Sequence, residues 1–447
     1  MQEIDLALLN TAIPGMSASL QVDPTLLSLA VTAYWVCATI FMPASGWAAD
    51  RFGTRIIFQI AVGIFIVGSI CCAVSSNFAE LTLSRCIQGV GGAFMVPVAR
   101  LVVVKEAAPG SLVRSMIWFT TPSLLGGIIG APLSGYLVTY LSWSSIFLVN
   151  VPTGLAAILL AGRYVPNYKE DGRPAFDLLG FVQVGLALGA LLFGLLSIGR
   201  NVLPIFVSMG LAAGGMLAMA HYKRATGRRG GVAILDFATL DARTFRITTA
   251  GGAVFVAGVG ATMFMMPIFL QNSLGFSALD TGLLLMCGTF GTLAARAAAH
   301  WAIGYFGFAR LMLLNSIATC SILAALSVLP TASAPAIAVL FAFAGAVRSI
   351  QYTCLNSAAY IGLKPHVLTA SATFASVAQQ VSFALGIGFG ATLLEVSSRS
   401  PVVASVLREG PPMLPLIAVS AMTLLTAFFF ARLKLDGRLS AGAARND

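Results

Sequence analysis

Charge is what this sequence has least of. Only 9% of its 447 residues are Asp, Glu, Lys or Arg, where a soluble domain carries about 25%. A water-facing surface of ordinary composition cannot be built from so few. Histidine is scarcer still. The three present, His221, His300 and His366, stand far apart in the chain, so a membrane enzyme's convergent set of His, carboxylate and nucleophile has no local source. The seven cysteines (Cys37, Cys71, Cys72, Cys86, Cys287, Cys320 and Cys354) sit in apolar runs with no CxxC or Cys/His spacing. They read as packing residues rather than metal ligands. No glycine-rich nucleotide loop precedes a Lys-Ser/Thr pair, so ATP is not the expected energy source. The opening MQEID lacks a basic stretch followed by an apolar core, and a cleavable signal peptide is not expected.

What fills the chain is apolar. Hydrophobic residues make up 58% and the mean hydropathy is +0.91, more apolar surface than a soluble core of this length can hide. A bilayer can take it, because the bilayer is itself the apolar solvent. The 45 glycines and 19 prolines lie largely inside these runs, where they permit close helix packing and bends. Spans of about 20 residues are expected near 4–20, 26–49, 56–75, 80–103, 114–138, 145–163, 178–198, 203–221, 247–270, 281–302, 309–329, 334–360, 368–394 and 412–431. The class is therefore an all-α integral membrane protein with about 14 transmembrane helices.

Positive charge orients the spans. Loops on one side, with the C-terminal tail, hold 20 of the 26 Lys and Arg residues; the other side holds Arg200, Arg399 and Arg408, and Arg85, Arg296 and Arg348 remain within spans. Lys and Arg concentrate on the cytoplasmic side, which places both termini there. The net charge of +10 is accounted for by this anchoring, with Lys223, Arg224, Arg228, Arg229, Arg243 and Arg246 in the richest loop. No nucleic-acid partner is implied.

Three motifs follow one another. GWAADRFGTR (46–55) joins spans 2 and 3. Gly46 allows close helix approach, Gly53 a tight turn, and Asp50, Arg51 and Arg55 set opposite charges at helix ends; a carboxylate there can hold a neighbouring helix N-terminus and let go when the helices part. LSRCIQGVGGAFMVPVAR (83–100) puts Arg85 inside span 4, followed by Gln88 and Gly89. An intramembrane Arg is costly unless it faces protein or water. GGIIGAPLSGYL (126–137) lines span 5 with Gly127, Gly130, Pro132 and Gly135, removing side chains from one face and bending the helix.

Together these resemble the loop 2–3, fourth-span and antiporter motifs of the major facilitator superfamily, although Ala131 and Ser134 stand where the antiporter motif has glycine. IDLALLNTAIP (4–14), LSWSSIFLVNVPTG (141–154) and PIFLQNSLGFSALDTG (267–282) resemble stretches of its 14-span drug:proton antiporters, the EmrB/QacA group; Ser144 and Ser145 replace the usual Arg and Trp. The resemblance implies the major facilitator fold, two six-helix bundles plus two inserted helices. It divides the chain into an N-terminal bundle (1–165), a central insertion and loop (166–246), a C-terminal bundle (247–432) and a cytoplasmic tail (433–447). HWAIGYFGFAR (300–310) echoes the loop 2–3 motif with Gly304 in place of its Asp, as expected of two related halves.

The resemblance also implies proton coupling through Asp5 and Arg85. Asp5 is either that proton-binding acid or a polar flank. Related chains carry roughly ten more apolar residues before this Asp, so either the start lies upstream or span 1 is short. Arg296 and Arg348 either line a cavity or snorkel to an interface. Gln271, Asn356 and Gln380 either contact substrate or bridge helices. Met263, Met265, Met266 and Met286 with Phe264 and Phe290 form either an adaptable pocket or ordinary core and lipid-facing surface.

The reading is a proton-coupled exporter of amphipathic or cationic small molecules, not an enzyme, working by alternating access as a monomer in a bacterial inner membrane. Its partners are substrate, protons and the lipid bilayer; no cofactor or metal is implied. A nutrient or metabolite symporter or uniporter of the same fold is the alternative, and a polytopic enzyme a more distant one. Single cysteines placed in 222–246 should react with an impermeant maleimide only in inside-out vesicles. Labelling from outside intact cells would overturn the orientation.

Overall fold

The computed structural model describes residues 1–433 apart from 23, 109–110, 171–175, 199–202, 230–232, 277, 329–333, 365–366 and 400–412. Helices lie under each apolar stretch. In chain order they are α1 (Gln2–Leu20), α2 (Pro24–Phe41), α3 (Ala44–Phe52), α4 (Thr54–Val74), α5 (Phe78–Glu106), α6 (Leu112–Tyr140), α7 (Ser145–Leu148) and α8 (Asn150–Tyr164). They continue with α9 (Leu178–Ile198), α10 (Ile205–Arg229), α11 (Arg243–Ile268), α12 (Ala278–Phe306), α13 (Phe308–Val328), α14 (Ala334–Ala358), α15 (Leu368–Arg399) and α16 (Met413–Ala431).

Among the described residues nine helices are long and apolar enough to cross a membrane, and up to 11 when two bent pairs each count as one; Pro415–Ala431 is a shorter apolar helix. One bend, of 58°, separates α2 from α3 at Pro43, which lacks the N–H that would continue the helix. The stretch 26–49 is thus a broken span rather than a straight one. α1, with 19 residues, is about 28 Å long, close to the thickness of a hydrocarbon core.

Large apolar side chains are abundant on the outside. Ile60, Val67 and Val74 on α4, Leu159 on α8, Leu186 on α9, Leu217 on α10 and Phe343 on α14 are all exposed, the surface a bilayer solvates. α9 and α10 divide differently between interior and surface. Of the most apolar window of α9, 67% is buried, against 22% for α10. α9 is a wall element packed on α2 near Ile40 through Gly185 and Gly189, and α10 covers it.

Contacts divide the chain into two units: Met1–Glu106 with Phe119–Thr239 and Lys364–Val377, and Ala107–Trp118 with Leu240–Leu363 and Ala378–Asp447. The first has apolar cores around Leu8, Met16 and Phe147 and around Tyr34, Val62 and Phe65. The second is packed around Phe255, Met312 and Phe430 and around Met265, Phe269 and Leu416. Within the second unit α12 and α14 pass at backbone distance. A Cβ on Gly345 would collide with the carbonyl of Gly288, and one on Gly291 with that of Ala342. Gly345→Leu should therefore force the helices apart and cost about 1–3 kcal/mol or more, seen as a lowered melting temperature or loss of the monodisperse peak in detergent. Gly63→Leu, into open space on α4, is the control expected to behave as the parent.

Candidate functional site

A polar cluster is built where α1, α2, α4, α5 and α8 of the first unit meet. α5 can carry polar groups into this region because its neighbours come very close. A Cβ on Gly89 would lie 2.5 Å from the Tyr34 carbonyl oxygen of α2, and one on Gly68 of α4 would lie 2.6 Å from the Gln88 backbone nitrogen. Arg85 and Gln88, three residues apart, share one face of α5. Arg85 is wholly buried and Asp5, on α1, is 3% exposed.

The two form an ion pair, Arg85 Nη1 to Asp5 Oδ2, of 2.6 Å. The other carboxylate oxygen, Oδ1, accepts from Gln88 Nε2 at 2.9 Å and from Asn150 Nδ2 at 2.8 Å. Gln88 also donates to Ser69 Oγ at 2.8 Å and accepts from Arg85 Nη1. The Arg85 guanidinium lies 4.6 Å from the centroid of the Tyr34 ring, a cation–π contact. Gln2 adds a bond from its Nε2 to the Gly92 carbonyl, 2.8 Å, tying the start of α1 to the glycine stretch of α5. Among the described residues, Arg85 Nε and Nη2 and Asn150 Oδ1 have no hydrogen-bond partner. Protonating Asp5 would put a hydrogen where one of these donors now points, so charge and geometry would change together.

The loop 2–3 residues form a second assembly in the same unit. Gly46 packs against Thr373 and Thr369 at the start of α15. Asp50 Oδ1 accepts from Thr369 Oγ1 at 3.0 Å, within the first turn of that helix, where a carboxylate complements the free N–H groups. Lys105 Nζ is 3.9 Å from Asp50 and 3.4 Å from Glu170. Gly53 is at φ +103°, and a Cβ there would collide with Asn167 Oδ1, so no other residue fits the turn. Arg55 donates from its backbone N–H to Asn167 Oδ1 and from its side chain to the Gly162 carbonyl. Arg51 is exposed.

The chain leaving α8 forms a strap over this loop. Thr54 N–H donates to Tyr168 O at 3.0 Å, Tyr168 N–H to Thr54 Oγ1 at 3.1 Å, and Thr54 Oγ1 to Pro166 O at 3.0 Å. Tyr168 also bonds Glu106, whose carboxylate, as the main cause, pushes the phenol pKa up to about 12.

The remaining sequence candidates are dispersed. Gly130 is buried on α6, while the surroundings of Gly127, Pro132 and Gly135 lie outside the described residues. Ser134, where the motif has glycine, donates to the Leu8 carbonyl of α1 at 2.7 Å. In the second unit Arg296 donates to the Ile117 carbonyl at 3.0 Å, and Arg348 is half-buried. Asn356 accepts from Gln379 Nε2 at 3.0 Å; Gln380 is half-buried beside that pair. Gln271 is exposed, in a π-helical turn, Phe269–Ser273. Met265 and Met266 are core, whereas Met263 and Phe290 face outward, so these side chains do not gather into one pocket. Sequence reasoning did not single out Tyr34, Ser69, Asn150, Lys105 or Thr369. Asn150 had a signal, a lone amide within the apolar run IFLVNV.

An ion pair buried among helices long and apolar enough to cross a bilayer defines the class as a multi-pass membrane protein. The description of the Major Facilitator Superfamily matches residues 1–176. The chain is 32% identical over 408 residues to "Putative multidrug resistance protein MdtD" of Pectobacterium atrosepticum, covering 90% of this chain and 86% of that protein. It is 31% identical over 456 residues to the protein of the same name in Escherichia fergusonii, covering 100% and 94%. This chain belongs to the major facilitator superfamily. Solved structures agree on the fold. The human organic anion transporter MFSD10 superposes with TM-score 0.69 at 15% identity over 96% of both chains. A double-tryptophan mutant of XylE gives 0.67 at 14% identity over 98% of this chain and 95% of the other.

Asp50→Asn should leave the protein folded but slow transport about tenfold, the loss expected from one charge-assisted hydrogen bond. Initial uptake rates into inside-out vesicles, normalised to protein level, test this. Parental rates would deny Asp50 a gating role.

Proposed function

We propose that this protein is a proton-coupled secondary transporter that exports amphipathic or cationic small molecules, of the multidrug efflux type, by alternating access. The observation that carries the reading is the buried Asp5–Arg85 pair with Gln88 and Asn150 on the same carboxylate. An acid placed so deeply is expensive, and intramembrane acids mark proton relays. The name shared by the two bacterial relatives supports the substrate class. The mechanism follows from the bonds. A proton arriving at Asp5 cancels its charge, Arg85 loses its counter-ion, and α1 and α5 are no longer held together. Exchange of that proton for substrate couples efflux to the gradient, and no cofactor enters. Asp50, Thr369 and Lys105 act as the latch of one conformational state, and residues 1–165 and 247–432 are the two bundles that alternate. The protein works as a monomer in the bacterial inner membrane with both termini cytoplasmic.

Inside-out vesicles with an imposed pH gradient should accumulate ethidium, and Asp5→Asn and Arg85→Ala should each abolish the gradient-driven part. Binding of ethidium to the purified variants should survive, since a proton site and an apolar pocket need not coincide. Normal gradient-driven transport by Asp5→Asn would overturn the proton role. Ethidium movement that ignores the gradient in the parent would make the protein a uniporter.

A further inference from the structure

The two halves repeat one short pattern, of which the fourth-span motif holds the first copy. α5 carries Arg85-Cys-Ile-Gln88 and α14 carries Arg348-Ser-Ile-Gln351. The helices hold corresponding positions: α5 packs on α2, and α14 on α12, the fourth and second spans of each half. In the first unit the Arg/Gln fork grips both oxygens of a carboxylate, Arg85 on Oδ2 and Gln88 on Oδ1 of Asp5. Among the described residues of the second unit the fork has no such acid. α11, which corresponds to the first span, contains no Asp or Glu, and neither do α13, α14 and α16. Asp280 is exposed in the first turn of α12, and Glu395 lies near the end of α15.

The fork's groups are correspondingly unsatisfied. Gln351 is fully buried, yet neither its Nε2 nor its Oε1 has a partner among the described residues, and the same is true of the buried Ser349 hydroxyl. Arg348 makes no hydrogen bond or ion pair among them. Arg348 stands near the middle of α14, about 21 Å along the helix from Ala334 and about 15 Å from Ala358, farther than its side chain reaches towards either helix end. A second guanidinium lies level with it. Leu284 with Ile337, and Ala302 with Leu355, share core clusters, and Thr292 donates to the Gly345 carbonyl. The contacts of Thr292 with Gly345 and of Gly291 with Ala342 set α12 and α14 side by side before the bend of α12, and Arg296, one turn beyond Thr292, lies near the level of Ser349.

We propose that Arg348 and Gln351 bind the carboxylate of the transported molecule as Arg85 and Gln88 bind that of Asp5, with Arg296 adding positive charge at the same depth. The preferred cargo is then an amphipathic organic anion, a carboxylate on an apolar body. This rests on the transporter reading and narrows its amphipathic class. A lipid headgroup offers similar anionic chemistry, but the depth of Arg348 places it out of reach.

The test is equilibrium binding of tritiated naphthoate and its uncharged isostere naphthamide to purified full-length protein in a neutral maltoside detergent. Naphthoate should bind at least about tenfold more tightly, the difference one or two charge-assisted hydrogen bonds supply. That ratio should collapse towards one in R348Q and fall in Q351L, with R348K retaining part of it. Equal affinities in the parent protein, or an undiminished preference in R348Q that elutes as folded protein, overturn the proposal. Should R348Q not fold, Q351L and the parental ratio decide. Gradient-driven ethidium efflux without naphthoate preference sinks this inference and leaves the transport reading intact. Preference without any response to a pH gradient upholds this inference and removes only the proton coupling.

Discussion

A carboxylate and a guanidinium 2.6 Å apart, where neither reaches water, govern the first unit. Each charge alone would be intolerable there, and together they still require full hydrogen bonding to offset desolvation. That requirement recruits Gln88 from the same helix, Asn150 from the break between α7 and α8, Ser69 from α4 and the Tyr34 ring from α2. Five helices are thereby held in register by one pair, and the glycines at 68 and 89 serve to let the backbones close enough. Removing one partner costs about 3–5 kcal/mol, whereas replacing a whole buried pair by apolar groups is often neutral or stabilising. A pair of this kind is thus better explained by what its breaking accomplishes than by stability.

The second unit handles intramembrane charge in the opposite way. Among the described residues its guanidiniums have no acid paired with them, and α12 and α14 approach through Gly288, Gly291 and Gly345 at the backbone rather than through a polar centre. Thr292 bonds across this contact to the Gly345 carbonyl. One half therefore carries its own counter-ion and the other does not, although both use the same Arg and Gln spacing. The asymmetry is one of satisfaction: the fork of the first half is bonded to a carboxylate, and the Gln351 amide of the second has no partner among the described residues.

Much of this was legible before any coordinates. Long apolar runs and scarce charge name the solvent, because only a bilayer accommodates them. Asp5 and Arg85 stand out because ionised groups are costly in that solvent, and the two most conspicuous residues prove to be each other's partner. Ser69, Tyr34 and Asn150 were not singled out, since neutral polar and aromatic residues are common in spans and carry no comparable cost. Their roles depend on which helix faces which, information held by packing. The same applies to Asp50. Its motif marks it as a charge at a helix end, but Thr369 lies 319 positions away and no local pattern links them. Pro43 as the place where α2 gives way to α3 follows from its missing N–H, but no sequence pattern gives the size of the bend, 58°.

The strap leaving α8 has a consequence for how this protein senses its surroundings. Its charges, Lys105, Glu170 and Asp50 at 3.4–3.9 Å, lie at an edge partly open to water, where such pairs contribute about 0–1 kcal/mol and are screened by salt. Its backbone bonds between Thr54 and Tyr168 are not screened in this way. The loop is thus pinned by hydrogen bonds and only trimmed by charge. The Asp5–Arg85 pair, sealed from ions, does not feel ionic strength at all. The molecule therefore holds two electrostatic regimes: an outer one screened by dissolved salt, and an inner one from which salt is excluded.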